Sequence, residues 1–297
     1  MEKDNKNIAN DENNILKKTI NSPLIKNIVL SGGGINGIAH IGALYAIHEL
    51  KCLNAIETFA GTSIGCLIMS LYILGYDPSE LYDFIKLFDL SKLKNISILN
   101  IHSFGLDTGS KMEYVIKRLI KGKNIDENIK LKELFDLKKK KLIFTTVCIN
   151  TNEICYISHE THPELPLYLA IRMSISIPFI YSPIQYENNL YVDGGLLDNY
   201  PISLFKNDLS NTMGIQLIGS KNKIDKIDNL ETYILRILQC IMEGMTLNSK
   251  KGFENHTIDI NIESINLTNY DINDDMKDDL FMKGYKSILI NKRKFIN

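Results

Sequence analysis

Residues 57–74 read "ETFAGTSIGCLIMSLYIL": a short apolar strand, a glycine–x–serine–x–glycine turn at Gly61, Ser63 and Gly65, and an apolar helix. A serine on so tight a strand-to-helix turn is held on strained backbone with its hydroxyl projecting outward. A second such turn precedes it. Residues 28–40, "IVLSGGGINGIAH", place Gly32, Gly33, Gly34 and Gly37 between an apolar strand and a helix. Backbone N–H groups and a helix N-terminus together favour negative charge at such a turn. On its own this loop satisfies the G-x-G-x-x-G pattern of a pyrophosphate site as well as that of an oxyanion site. The following strand decides between them. A dinucleotide fold ends its second strand in an acid that holds the ribose, but the only acid here is Glu57, at the start of the strand and so at the wrong edge. The ligand end carries Ser63 instead. The loop is therefore read as presenting the Gly32, Gly33 and Gly34 N–H groups to the oxyanion formed when Ser63 attacks an ester carbonyl.

The chain-wide composition agrees with a globular α/β protein. Its 297 residues are 44% hydrophobic and 23% charged, with a formal charge of −1, which speaks against nucleic acid as the main partner. The opening residues 1–22 are polar and lack an apolar core, so they are read as a flexible arm rather than a signal peptide. Residues 23–297 are then read as one domain. The longest nearly apolar run, Cys66 to Leu74, is far short of the ~18 residues that a spanning helix requires. A soluble, cytoplasmic protein with peripheral membrane contact is expected. Five dispersed cysteines without a C-x-x-C pair indicate neither a disulfide framework nor a zinc site.

Strand-like runs at Lys26–Leu30, Glu57–Ala60, Leu142–Ile149, Cys155–Ser158, Leu190–Val192 and Met213–Ile218 alternate with helical patterns. The latter cover Gly37–Leu50, Gly65–Leu74, Ser79–Phe88, Ser110–Ile120, Leu167–Met173, Leu230–Leu247 and Asp274–Ile290. Such alternation predicts an α/β layered domain with a mostly parallel central sheet flanked by helices. Lys138 to Lys141 is read as a solvated helix end rather than a patch for anionic lipid.

Ser63 needs a proton acceptor. His40 and His48 lie on the first helix, and His102, His159 and His162 fall in loops without a supporting pattern. His256 satisfies the Ser…Asp…His order of an α/β-hydrolase triad, with nothing else around it in support. Asp193 is better placed: in "LYVDGGLLDNYP" it ends a strand and is followed by Gly194 and Gly195, small enough to let another loop approach.

Taken in order, these motifs resemble the patatin-like phospholipase family of serine acyl hydrolases, which use a Ser-Asp dyad. The matches are the glycine motif at Gly32, Gly33, Gly34 and Gly37, the nucleophile motif at Gly61, Ser63 and Gly65, and the D-G-G motif at Asp193, Gly194 and Gly195. "AIRMSISIPFIYSPI" is similar to a segment that supports the active-site wall in the family, with Ala170, Ser174, Pro178 and Pro183 in register. "DNYPI" and "DDLFMKGYKSI" also look like family features. The resemblance implies that Ser63 is the nucleophile, Asp193 the proton acceptor and the Gly33 and Gly34 amides the oxyanion donors. It implies fatty-acyl esters of phospholipids or neutral lipids at a membrane or micelle surface as substrates, and neither metal nor other cofactor. A buried Asp193 should have a raised pKa. An esterase with a His base and a catalytically silent lipid-binding relative are the alternative readings. Many relatives carry Arg or Lys where this chain has Asn36, which implies weak preference for phospholipid unless Lys111 or Lys117 supplies the charge. The stretches "LDTGSKMEYVIKRLI" and "LKNISILNI" either line an acyl channel or serve as core, and core is the expected role.

Overall fold

The computed structural model describes residues 25–219, 226–262 and 272–294; the expected arm at 1–22 lies outside them. In chain order the strands are β1 (Asn27–Leu30), β2 (Thr58–Thr62), β3 (Gly105–Asp107), β4 (Lys141–Cys148), β5 (Glu153–Ile157), β6 (Phe179–Tyr181), β7 (Ile184–Tyr186), β8 (Asn189–Asp193), β9 (Thr212–Gly219) and β10 (Thr257–Ile262). The helices are α1 (Ile38–Glu49), α2 (Ile64–Leu74), α3 (Pro78–Leu87), α4 (Ser110–Gly122), α5 (Leu131–Lys138), α6 (Leu167–Ile175), α7 (Leu230–Ser249) and α8 (Asp274–Asn291).

The central sheet runs β10-β9-β1-β2-β4 with every neighbour parallel, and β8, β7 and β5 add antiparallel strands beyond it. β1, "NIVL", is buried at all four residues, as expected of a strand covered on both faces. A mostly parallel sheet flanked by helices is thus the observed architecture. α3 starts where Asp77 accepts the Ser79 and Glu80 N–H groups while Glu80 accepts the Asp77 N–H, with proline in the first turn. Five short elements were not foreseen. β3, β6 and β7 have only three residues each, too few to show a period, and α5 is a two-turn helix that buries Leu131 and Leu134. β10 carries a clear alternation, with Ile258, Ile260 and Ile262 buried.

The lysine run is engaged. Lys138 Nζ donates to the Leu74 carbonyl at 3.1 Å, Lys139 pairs with Asp136 at 3.6 Å, Lys140 donates to the Asn54 and Ile56 carbonyls, and Lys141 pairs with Glu160. No described helix is long and apolar enough to cross a membrane.

Candidate active site

The register of β4 brings the two motif strands together. Its Thr145 pairs with Thr62 of β2, and the next residue, Thr146, pairs with Asp193 of β8. Ser63 and Asp193 therefore emerge at the same place on the sheet, at the carboxyl end of β2, although 130 residues separate them in the chain.

Ser63 caps α2 with φ 53° and ψ −125°, a backbone conformation unfavourable for any residue with a Cβ. The surroundings fix it there. Its N–H donates to Ser174 Oγ at 3.0 Å, and Ser174 in turn donates to the Thr145 carbonyl at 2.8 Å. Ser174 of α6, fully buried, thus ties the elbow to β4. Gly65 and Gly61 allow the crossing: a Cβ on either would press on the Leu30 carbonyl oxygen, at 2.8 and 2.9 Å. Gly37 similarly lets the start of α1 lie against Ile64. Cys66, one turn into α2, is no rival nucleophile, because burial pushes its thiol up to about 12.

Asp193 is buried, and its N–H is held by the Ser176 carbonyl at 2.9 Å. Its Oδ1 accepts the Gly195 N–H at 2.8 Å, while Oδ2 has no hydrogen-bond partner. Burial drives the carboxyl up to about 7, opposed by the Ser63 hydroxyl beside it and by the Gly195 N–H. Gly194 has no room for a Cβ, which would overlap the Thr145 carbonyl.

The glycine loop is pinned from below. The Ser31 N–H donates to the Ile215 carbonyl at 3.1 Å, the Leu217 N–H to Ser31 Oγ at 3.0 Å, and His40 Nε2 to the Ser31 carbonyl at 2.9 Å. One expectation is corrected here. The Gly32 N–H donates to the Asn199 carbonyl at 3.0 Å, so Gly32 is not available as an oxyanion donor. Nothing among the described residues accepts from the Gly33 or Gly34 N–H. Gly34 has φ 56°, which a side chain would disfavour.

None of the six histidines bonds Ser63 or Asp193. His40 is fully buried and held neutral, its pKa lowered to about 4 by desolvation, and it serves the loop as a structural contact. His256 precedes β10, at the amino end of a strand parallel to β2, and therefore lies at the opposite edge of the sheet from Ser63. His159 stacks on Phe135 with ring centroids 3.7 Å apart.

Ser63 opens into an apolar cavity. α2, α3 and α4 wall it with Leu67, Ile68, Phe84, Met112, Val115 and Ile116, and apart from Ser63 and Tyr181 every side chain lining it is apolar. Of the two stretches expected to serve as core, residues 106–120 both pack in the core and line this cavity. The isoleucine-rich stretch departs from the expectation: only its Leu93 lines the cavity, and Ile96, Ile98, Leu99 and Ile101 are exposed. Asn36 is buried with Nδ2 unbonded and does not line the cavity. Lys117 is paired with Glu113 at 3.0 Å and lies over the Tyr168 ring, and Lys111 donates to the Lys94 carbonyl at 2.7 Å.

A serine elbow facing a glycine loop and a buried aspartate, on a mostly parallel sheet, define a protein of the patatin-like class. The model of the patatin-like phospholipase family matches residues 28–206, and the chain belongs to that family. It is 32% identical to the uncharacterized protein R571 of Acanthamoeba polyphaga mimivirus, over 96% of this chain and 99% of that one. It is 33% identical to "Probable lipid hydrolase 463L" of Invertebrate iridescent virus 6, over 60% of this chain and 62% of the relative. Lysophospholipase NTE1 of Scheffersomyces stipitis matches at 28% identity over 60% of this chain, but this spans only 11% of that much longer protein. Among solved structures, VipD from Legionella pneumophila superposes with a TM-score of 0.61 at 16% identity, over 92% of this chain and 67% of VipD. ExoU of Pseudomonas aeruginosa, in complex with SpcU, does so with a TM-score of 0.53 at 15% identity, over 93% of this chain and 54% of ExoU. Membership of this family supports lipid hydrolysis as the activity of this chain.

Proposed function

We propose that the protein is a lipid acyl hydrolase, a carboxylic ester hydrolase of the phospholipase A type, working through a Ser63–Asp193 dyad. The observation that carries this reading is the convergence of the two residues on adjacent positions of β4, one on a strained elbow and the other with its carboxyl raised to about 7. An ordinary aspartate, with its pKa near 3.8, is a weak base for an alcohol. Raised to about 7, Asp193 is matched to neutral pH. It takes the Ser63 proton as Oγ attacks the ester carbonyl, and the Gly33 and Gly34 N–H groups stabilise the oxyanion. Collapse expels the alcohol, which receives the proton from Asp193. Water, deprotonated by Asp193, then releases the fatty acid from the acyl-serine. The cavity takes the acyl chain.

The histidine-base alternative has no support in the geometry, and a catalytically silent role gives no reason for a strained elbow beside a buried carboxyl with a raised pKa. The test is hydrolysis of a lipid panel by purified protein. Ser63→Ala and Asp193→Asn should each abolish most turnover while His256→Ala stays active; turnover retained in Ser63→Ala contradicts the reading. With Asn36 where many relatives carry a cation, the enzyme should discriminate weakly between phospholipid and uncharged ester. A charge-assisted contact is typically worth about 1.5–3 kcal/mol, roughly one to two orders of magnitude in specificity. A kcat/KM ratio of that size in favour of phosphatidylcholine over a neutral ester of equal chain length would show that another group reads the phosphate.

A further inference from the structure

β3 and β6 form a two-stranded parallel ribbon in which Gly105 pairs with Phe179 and Asp107 with Tyr181. Phe104 directly precedes β3, so the two phenylalanines sit together at one end of the ribbon. Both are exposed, at 67% and 57%, and both have positive φ, 62° and 66°. Bulky residues seldom adopt that backbone, and strain of this kind gathers where a side chain has a task. The turn before Phe104, residues 98–103, adds Ile98, Leu99 and Ile101, which are 68%, 73% and 62% exposed.

This exposure is held by a built scaffold. The Ser97 N–H and Asn100 Nδ2 both donate to the Leu106 carbonyl, at 2.8 and 3.1 Å. Buried Asp107 accepts the Asn95 and Gly109 N–H groups at 2.6 and 2.7 Å, and buried Arg172 donates to the Gly109 carbonyl at 2.7 Å. The far end of the same ribbon reaches the proposed active site, because Tyr181 lines the acyl cavity, as do Leu90 and Leu93 just ahead of the exposed turn. An apolar patch this concentrated on one rim marks an interaction surface. Its charge indicates the partner: from Asp89 to Phe104 there are two lysines, Lys92 and Lys94, against one acid, Asp89, which lies 4.0 Å from Lys92, and Lys111 adds a third cation by donating to the Lys94 carbonyl. Apolar side chains flanked by cations suit an anionic lipid surface.

We propose that Ile98, Leu99, Ile101, Phe104 and Phe179 form a wedge that enters an anionic lipid surface and sets the mouth of the acyl cavity against the acyl layer. The inference rests on the acyl-hydrolase reading for the use of the cavity, but docking is measured without catalysis. Ser63→Ala protein is floated with phosphatidylcholine–phosphatidylserine vesicles, alone and with Ile98→Ser, Leu99→Ser and Phe179→Ser added. The parent should float, and the triple change should weaken partitioning by about tenfold or more. In the Ser63 background the same three changes should cut turnover of vesicle lipid by a like factor and leave turnover of the water-soluble p-nitrophenyl butyrate unchanged. Equal flotation of parent and variant, a parent that stays in solution, or a parent that is a dimer split by the triple change, overturns the wedge. If the variant also loses the soluble ester, a label decides: an environment-sensitive fluorophore on Leu99→Cys, in a Cys52→Ser/Cys155→Ser/Cys240→Ser background, should shift to the blue on vesicles while the same label on Asn54→Cys does not. No shift at residue 99 overturns the proposal. A protein that floats through the wedge yet cleaves no ester keeps the docking surface and loses the hydrolase reading.

Discussion

In the proposed mechanism the base is Asp193, whose carboxyl is raised by burial from its ordinary 3.8 to about 7. Only the ionised form can accept the Ser63 proton, so turnover of a soluble ester should rise with pH up to about 7 and level off above it. A rate that stays flat from pH 5 to 8, measured as kcat/KM, would show that Asp193 is not the base. The same shift bears on stability. Between its ordinary value and about 7 the folded chain keeps a proton that the unfolded chain has released, so stability falls as pH rises across that window, by up to about 1.4 kcal/mol per pH unit. Asp193→Asn should remove this slope, and its melting temperature should exceed that of the wild type increasingly from pH 5 to pH 7. The places of Ser63 and Asp193 at strand ends were legible in the sequence because each stands in a short motif there. The loss of Gly32 as a donor was not, because it depends on a carbonyl of Asn199 that only the folded chain brings near.

At the scale of elements, two contacts hold the site and its helices in place. Ser174 on α6 accepts the N–H of the strained Ser63. Ser174→Ala would leave that buried N–H unsatisfied, which costs about 1–3 kcal/mol. Circular-dichroism melts should show that loss while kcat falls more than KM rises, since the elbow is no longer held; unchanged kcat would remove Ser174 from the support of the site. The second contact is between α1 and α8, where a Cβ on Gly42 would overlap the Phe281 carbonyl and one on Gly284 the Ala39 carbonyl. Gly284→Ala should lower stability by about 1–3 kcal/mol through overpacking, and a melting point equal to wild type would show that the helices separate at no cost. The long periodic helices and the parallel strands could be read from the chain. β10 also had its alternation on view, but β3 and β6 acquire their identity only by pairing with each other.

On the scale of the whole molecule, the sheet sets Ser63 at an apolar chamber, and in the proposed mechanism the chamber should measure the acyl chain. Ile116 lines it from α4. Ile116→Trp should lower the ratio of long-chain to short-chain turnover by roughly 10-fold or more, the range in which pocket shape discriminates among methylenes; an unchanged chain-length profile would place the acyl group elsewhere. The chamber was only half legible, since apolar helical stripes read alike whether they fill a core or border a cavity. Its exposed continuation at Ile98, Leu99 and Ile101 ran against the pattern altogether, because hydrophobic residues in a turn are expected to be covered.

In the proposed mechanism Ser63 becomes acylated. The direct measurement is intact-mass and peptide mapping of the protein after treatment with an alkyl fluorophosphonate, on wild type and Ser63→Ala. One adduct per chain, located at Ser63 and absent from Ser63→Ala, is the predicted result. An adduct at any other residue, or labelling that persists in Ser63→Ala, would contradict it.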